Sequence, residues 1–123
     1  MKRRKHYSGQ SCKAGLPPGT LLHIGTVPPD GTANINTTVY SPETIREDTT
    51  DKLDQYTPVK HGSGITWISV EGLHNVELIR RLGECYGLHP LVLEDIVNAT
   101  QRPKIEDYGD YIFIVFRLIR LKE

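Results

Sequence analysis

The stretch of this sequence with the clearest chemical potential is HPLVLEDIVNATQRP, residues 89–103. It sets two adjacent carboxylates, Glu94 and Asp95, inside a run of leucine, valine and isoleucine. Hard divalent cations such as Mg²⁺ prefer oxygen ligands. Mg²⁺ is commonly held by one or two carboxylates while it keeps several waters. Glu94 and Asp95 are therefore the candidate metal ligands of this sequence.

The element that must position these acids is a short helix. Pro90 suits a first helical position, where its missing N–H would have no partner anyway. Helical geometry is disfavoured for the residue before Pro103, so the helix should end before it. We therefore predict a helix over about residues 90–99. At roughly 100° per residue, one side of it carries Val92, Leu93, Ile96 and Val97, and the other carries Leu91, Glu94, Asp95 and Asn98.

On this helix both acids face away from the core, and their side chains diverge because neighbouring residues of a helix do not meet. One chain could not easily chelate a single ion with both. Spacing alone favours a solvated helix face. The alternative is a shared cation site, in which the other ligands come from a second chain packed against Leu91 and the acids, so that cation binding would couple to subunit contact.

Composition limits the classes of protein that remain. A chain of 123 residues is one small domain with a core of its own. Its 15 basic and 15 acidic residues cancel, so the whole chain lacks the basic excess typical of nucleic-acid binding. The cluster MKRRKH is local, and we interpret residues 1–15 as a disordered basic tail before a folded domain at 16–123. Cys12 and Cys85 show neither zinc nor disulfide spacing, which fits a reducing compartment.

The first half of the chain predicts mainly strands. Proline and glycine turns precede an edge strand at residues 20–24, and a second strand follows at Asn34–Tyr40. The segment SPETIRED predicts a short helix, with Ser41 as its N-cap and Pro42 in its first position. ITWISV, residues 65–70, is rich in β-branched and aromatic residues and predicts a strand.

The second half predicts a fold with helices packed on a sheet. HNVELIRRLGECYGL has helical spacing and a C-terminal stop at Gly87. Beyond Pro103 we predict a brief strand at 104–108, a turn at Gly109 and Asp110, and a long strand at 111–121. The centre of that strand is almost continuously apolar, as in a strand covered on both faces. The class predicted is α/β or α+β. Because FRLIRLKE still has strand character, the sequence looks like part of a longer chain.

Several familiar chemistries are absent from the sequence. It holds no phosphate-binding glycine loop, no G-x-S-x-G elbow and no H-E-x-x-H motif, and each of its five histidines lies apart from any partner. No apolar run approaches the ~20 residues needed to cross a bilayer, and no signal peptide precedes the domain. We therefore expect a chain that is soluble as it stands and is not an enzyme.

Longer stretches resemble a known family. WISVEGL, then VELIRRLGECYGLHPLVLEDIVNATQRPKIEDYGDYIFIVF, and the early turn GLPPGTL are similar to the amino-terminal cytoplasmic domain of the CorA-type magnesium and cobalt transport proteins. The likeness covers about residues 15–121 and is most specific over 87–116. It implies an α/β/α sandwich, with a mixed sheet between helices, on the cytoplasmic face of the cell membrane. It also implies a homopentamer in which five such domains form a funnel.

The resemblance further implies roles for the two acids. Glu94 and Asp95 would contribute to weak Mg²⁺ or Co²⁺ sites between adjacent subunits, with Asp95 the stronger assignment, and the partner acid would come from a long helix of the neighbour. Ions bound there would hold the funnel closed and leave when internal Mg²⁺ falls. The long helix, both transmembrane helices and the Gly-Met-Asn signature of the family are missing from this sequence. The site would therefore be half built, and membrane attachment would depend on those missing helices.

Two other interpretations stay open. A zinc-efflux member of the same superfamily would share the architecture, although zinc favours histidine or cysteine beside the carboxylates. A stand-alone adaptor could bind another protein through a strand edge or through the face around Leu91. For the chain by itself we expect a monomer or a weak dimer, since most contacts of the family lie in the missing helices.

Overall fold

The computed structural model describes residues 13–27, 31–50, 64–119 and 121. Most of the predicted basic tail, residues 1–12, lies outside these ranges. The described part has two helices and five strands, which confirms the predicted mixed α/β class. In chain order the elements are β1 (Asn34–Tyr40), β2 (Ile45–Thr50), β3 (Ile65–Glu71), α1 (Val76–Tyr86), α2 (Pro90–Ile96), β4 (Lys104–Asp107) and β5 (Ile112–Val115).

The strands form two antiparallel sheets. A three-stranded sheet has the order β2-β1-β3, with Ile35 of β1 opposite Val70 of β3, and β4 pairs with β5 in a separate hairpin. In the central strand β1, Ile35 and Thr37 are buried while their neighbours are half-buried. This alternation is the period of two expected of a strand with one face on the core.

Helix α1 joins the three-stranded sheet to the rest of the fold. Leu78 and Leu82 pack against Ile35 of the sheet, and Ile79 packs against α2. The helix begins where the Asn75 side chain accepts a hydrogen bond from the Leu78 N–H at 3.0 Å. It ends at Gly87, whose φ of 67° is the left-handed conformation that glycine adopts without strain. The predicted helix and its glycine stop are therefore confirmed.

The predicted edge strand at residues 20–24 is wrong. Only Ile24 makes a β-bridge, with Asn98. The Ile24 N–H donates to the Val97 carbonyl at 3.0 Å, and the Ala99 N–H donates to the Ile24 carbonyl at 2.8 Å. The end of α2 offers this segment free backbone groups, so it pairs there instead of extending a sheet.

The predicted helix at SPETIRED is also wrong, because this segment turns and becomes β2. The Ser41 hydroxyl accepts hydrogen bonds from the N–H groups of Glu43 and Thr44 at 3.3 and 3.2 Å. A serine of this kind serves a turn as well as it serves a helix N-cap. The β-branched residues that come next pair with β1. This pairing makes the segment a strand instead of a helix.

Two predicted elements are shorter in the structure. Helix α2 stops at Ile96, with Val97 as its C-cap, instead of continuing to residue 99. Strand β5 covers Ile112–Val115 instead of residues 111–121, because the partner strand β4 provides a ladder of only four residues. The prediction that β5 is covered on both faces is wrong for the described residues, since Ile112 and Ile114 are exposed.

Candidate metal-binding site

Helix α2 carries the two candidate ligands. The His89 ring Nδ1 accepts a hydrogen bond from the Leu91 N–H at 3.2 Å, and Pro90 takes the first helical position. The predicted division of the helix into two faces is confirmed for its apolar residues, whereas Glu94, Asp95 and Asn98 of the outer face are half-buried. The residues turned to the core are buried or half-buried, namely Val92, Leu93, Ile96 and Val97, whereas Leu91 is 45% exposed.

Asp95 contacts the hairpin that follows it. Its Oδ2 lies 2.6 Å from the Lys104 Nζ, and its Oδ1 accepts a hydrogen bond from the Gln101 side-chain amide. The carboxylate is 22% exposed, so it is within reach of solvent and of another chain. These two donors hold the carboxylate in one direction and leave further lone pairs on its oxygens.

Lys104 places one positive charge between two carboxylates. Its Nζ lies 2.9 Å from the Glu106 Oε1 as well as 2.6 Å from Asp95, and it stands 5.3 Å from the centre of the Phe113 ring. The hydrogen bonds to Asp95 and then to Glu106 raise the pKa of Lys104, and the hydrogen bond from Lys104 lowers the pKa of Glu106. Lys104 is therefore protonated and Glu106 ionised at neutral pH, and one ammonium serves two carboxylates.

Glu94 contacts a different part of the chain. Its Oε2 accepts a hydrogen bond from the Gly19 backbone N–H at 2.9 Å, and its Oε1 lies 3.1 Å from the Lys13 Nζ. The Gly19 N–H first, and the Lys13 ammonium second, lower the pKa of Glu94. Lys13 belongs to the segment predicted as a tail, and it packs on α2 with a side chain only 19% exposed.

The two acids thus diverge, as the helical spacing predicts, but neither is simply solvated. The described residues contain no group of three or more histidine, cysteine, aspartate or glutamate side chains placed to hold a metal ion. A hard cation that keeps most of its water shell would accept one carboxylate from this chain. Oxygen ligands therefore fit Mg²⁺, provided that further ligands come from another chain or segment.

One hydrogen bond and one pair of stacked rings help to position the hairpin that supplies Lys104. The His89 N–H donates to the Tyr111 hydroxyl at 2.9 Å, and Tyr108 stacks on Tyr111 with ring centres 5.0 Å apart. The start of α2 and the turn between β4 and β5 are thereby tied together. Sequence reasoning missed Lys104, although its position two residues before Glu106 in a predicted strand puts both on one face.

Two histidines that lie far apart in sequence also meet. The rings of His23 and His74 have centres 6.3 Å apart. The His23 Nδ1–H donates to the Val97 carbonyl at 3.1 Å, and His74 Nε2 lies 3.1 Å from the Gly31 carbonyl. Within the described part of the chain, the buried His23 Nε2 has no hydrogen-bond partner. These contacts fasten His23 to the end of α2 and Gly31 to His74, and they involve neither of the two acids.

The described helices are too short to cross a bilayer, since none combines the length and apolar character of a membrane span. The fold and the site therefore define a small mixed α/β domain that presents carboxylates paired with lysines.

Comparison with known proteins identifies the family. The model for the CorA-like Mg²⁺ transporter proteins matches residues 62–123, which include α2 and the β4–β5 hairpin. The chain belongs to this family, as the resemblance of its motifs predicted. It is 44% identical over 108 residues to the cobalt/magnesium transport protein CorA of Thermotoga maritima. That match covers 88% of this chain and 30% of the relative.

More distant relatives are two putative metal ion transporters of Schizosaccharomyces pombe. One is 39% identical over 57 residues, or 46% of this chain and 9% of the relative. The other is 35% identical over 54 residues, or 44% of this chain and 7% of the relative. The chain therefore spans less than a third of each of these three relatives.

Proposed function

We propose that this chain is the cytoplasmic, metal-sensing part of a divalent-cation transporter of the CorA type. Mg²⁺ or Co²⁺ is its cargo, and Mg²⁺ bound at Asp95, between neighbouring subunits of a homopentamer, holds the transporter closed. The similarity to a cobalt/magnesium transport protein and to the Mg²⁺ transporter family supports this choice of cargo. The observation that carries the sensing role is the outward, partly exposed Asp95 carboxylate, which Lys104 and Gln101 hold in one direction.

The physical basis of sensing is a change in the force between subunits. Carboxylates of adjacent subunits repel each other across an empty interface, and a bridging divalent cation replaces that repulsion with attraction. Occupancy of the site then shifts the population between open and closed arrangements. A sensor of this kind binds weakly, because it must empty within the range of free Mg²⁺ in the cell.

Asp95 is the principal ligand in this proposal, and Glu94 plays a lesser part. The two oxygens of Glu94 are each engaged, one by a backbone N–H and one by Lys13. Its main task is to fasten residues 13–19 to α2. A substitution there therefore changes Mg²⁺ sensing less than the same change at Asp95.

The test is protection of the full-length protein from limited proteolysis by increasing Mg²⁺. Asp95→Asn keeps the shape of the side chain but removes its charge, so we expect the half-protecting Mg²⁺ concentration to rise about tenfold, which corresponds to the loss of about 1.4 kcal/mol. Glu94→Gln shifts it less. Asp48→Asn, at an exposed position of β2, is the matched control and leaves it unchanged.

Equal protection of all four proteins would contradict the proposal. The acids would then be structural groups of α2, and Mg²⁺ would act elsewhere. Protection of the native protein that disappears in Asp95→Asn, with unchanged thermal unfolding in the absence of Mg²⁺, would support a direct ligand. The thermal measurement separates a lost ligand from a misfolded domain.

A further inference from the structure

The ammonium group of Lys104 is itself a cation at the proposed metal site. Its ammonium group lies 2.6 Å from the Asp95 Oδ2, on the carboxylate that the proposed function assigns to Mg²⁺. The Lys104 side chain is only 27% exposed, and it belongs to the same chain as Asp95, so its local concentration is high and constant. A dissolved cation that approaches Asp95 therefore meets a carboxylate whose charge is already partly offset by the ammonium.

We propose that Lys104 is a built-in competitor for the divalent cation at Asp95, and that this competition sets the Mg²⁺ concentration at which the site fills. The inference rests on the proposed function of Asp95 and adds the residue that tunes it. Binding of the ion moves the ammonium away from Asp95, and loss of the ion lets it return. In the empty site the ammonium offsets part of the carboxylate charge, so the repulsion between subunits is reduced but not removed.

The structure provides a second ion-pair partner for the displaced ammonium. Glu106 Oε1 lies 2.9 Å from Nζ, and the ring of Phe113 lies below it. Lysine has a compact charge on a flexible four-carbon stem, so it can shift from one carboxylate to the other by rotating its terminal bonds. Lys104 can therefore release Asp95 and keep an ion pair, which lowers the cost of the exchange.

A positioning role for Lys104 predicts the opposite result. If the lysine only held Asp95 in a productive direction, its removal would weaken Mg²⁺ binding. If it competes, its removal strengthens binding, since the ion no longer displaces a bound charge and no longer feels repulsion from it. The sign of the change therefore separates the two roles.

The experiment measures the half-protecting Mg²⁺ concentration of the full-length protein by limited proteolysis. We expect Lys104→Gln and Lys104→Met to lower it about fivefold, the size of the equilibrium change expected for a partly exposed ion pair. The methionine keeps an unbranched chain over Phe113, so agreement between the two variants excludes an effect of lost packing. Lys104→Arg keeps the charge and stays close to the native value.

The matched control is Arg80→Gln. Arg80 is also a cation between two carboxylates, Glu77 and Glu84, but it lies on the exposed side of α1. The substitution removes the same net charge and leaves the half-protecting concentration unchanged. A decrease equal to that of Lys104→Gln would mean that net charge alone is responsible, which would overturn the proposal.

A double variant makes the proposal and the proposed function separately falsifiable. In an Asp95→Asn background, Lys104→Gln has no effect if the lysine acts through Asp95. An increase or no change for Lys104→Gln alone, while Asp95→Asn still raises the half-protecting concentration, overturns the competitor and leaves the metal site in place. No change for Asp95→Asn itself overturns both.

Discussion

At the scale of single residues, two neighbouring acids have different partners and therefore different tasks. Glu94 binds a backbone N–H and a lysine from the start of the described chain, whereas Asp95 binds the hairpin after the helix. Adjacent positions on a helix are about 100° apart, so their side chains reach different neighbours. One motif thus carries a structural anchor and a candidate ligand side by side.

The anchor predicts a pH-dependent loss of stability. Its hydrogen bonds hold the pKa of Glu94 below the ordinary carboxyl value, so the stability it contributes is present above that value and is lost as pH falls through the lowered one. We expect Glu94→Gln to lower the free energy of unfolding at pH 7 by about 1 kcal/mol, the usual net value of such hydrogen bonds. Urea unfolding at pH 7 and pH 3 measures the effect.

The difference between native protein and Glu94→Gln should be smaller at pH 3 than at pH 7, because the native carboxyl becomes protonated as the pH falls through its lowered pKa. Glu47→Gln, at an exposed position of β2, is the control and should change little at either pH. An equal loss at both pH values would mean that the charge of Glu94 does not stabilise the fold.

At the scale of elements, the contact between α1 and α2 depends on a glycine. A Cβ added to Gly83 would lie 2.5 Å from both methyl carbons of Leu93, and Leu93 is buried against Ile79 and Val97. The helices can approach this closely because residue 83 has no side chain. The position of α2, and therefore of Asp95, follows from that approach.

We predict that Gly83→Ala destabilises the domain although alanine is the better helix former. The gain of about 1 kcal/mol in helix propensity is smaller than the overpacking penalty of about 1–3 kcal/mol, so a net loss of about 1 kcal/mol is expected. Thermal unfolding measures it. Glu84→Ala, on the exposed side of the same turn, is the control and should stay within about 0.5 kcal/mol of native. A more stable Gly83→Ala protein would show that Leu93 moves aside freely.

At the scale of the whole molecule, the β4–β5 hairpin presents an apolar face to solvent. Ile105 and Ile114 are cross-strand partners on this face, and Ile112 and Phe116 continue it. Their exposed fractions are 73, 53, 63 and 69% in that order. The opposite face carries Lys104, Glu106 and Phe113, and lies toward α2. Contiguous apolar surface of this kind favours association.

We therefore predict that the 123-residue chain binds a hydrophobic dye such as ANS and associates with rising concentration. Ile112→Thr combined with Ile114→Thr removes apolar surface but keeps β-branched residues, so dye fluorescence and association should fall while the strand is retained. Sedimentation velocity measures the association. The control is Ile45→Thr, at an exposed apolar position of β2. An equal decrease for the control would show that the hairpin face has no special role.

The sequence by itself determined the elements whose signals are local. The spacing of Leu78, Ile79 and Leu82, together with the stop at Gly87, predicted α1, and the period of the apolar residues predicted which side of α2 meets the core. Strands β1 and β3 followed from β-branched residues between turns. Such signals depend on residues within one or two turns, so they are present before the chain folds. The family resemblance followed from the same stretches.

Only the tertiary structure decided what the local signals left open. A serine turn serves either a helix or a hairpin, and pairing with β1 made Ile45–Thr50 a strand. The sequence did not reveal the partners of the two acids. Lys13 is 81 residues from Glu94, and Lys104 contacts Asp95 only because the hairpin folds back on α2. Contacts of this kind are set by packing of distant segments and not by local spacing. For that reason the sequence located the carboxylates, and the fold supplied the cation beside each of them.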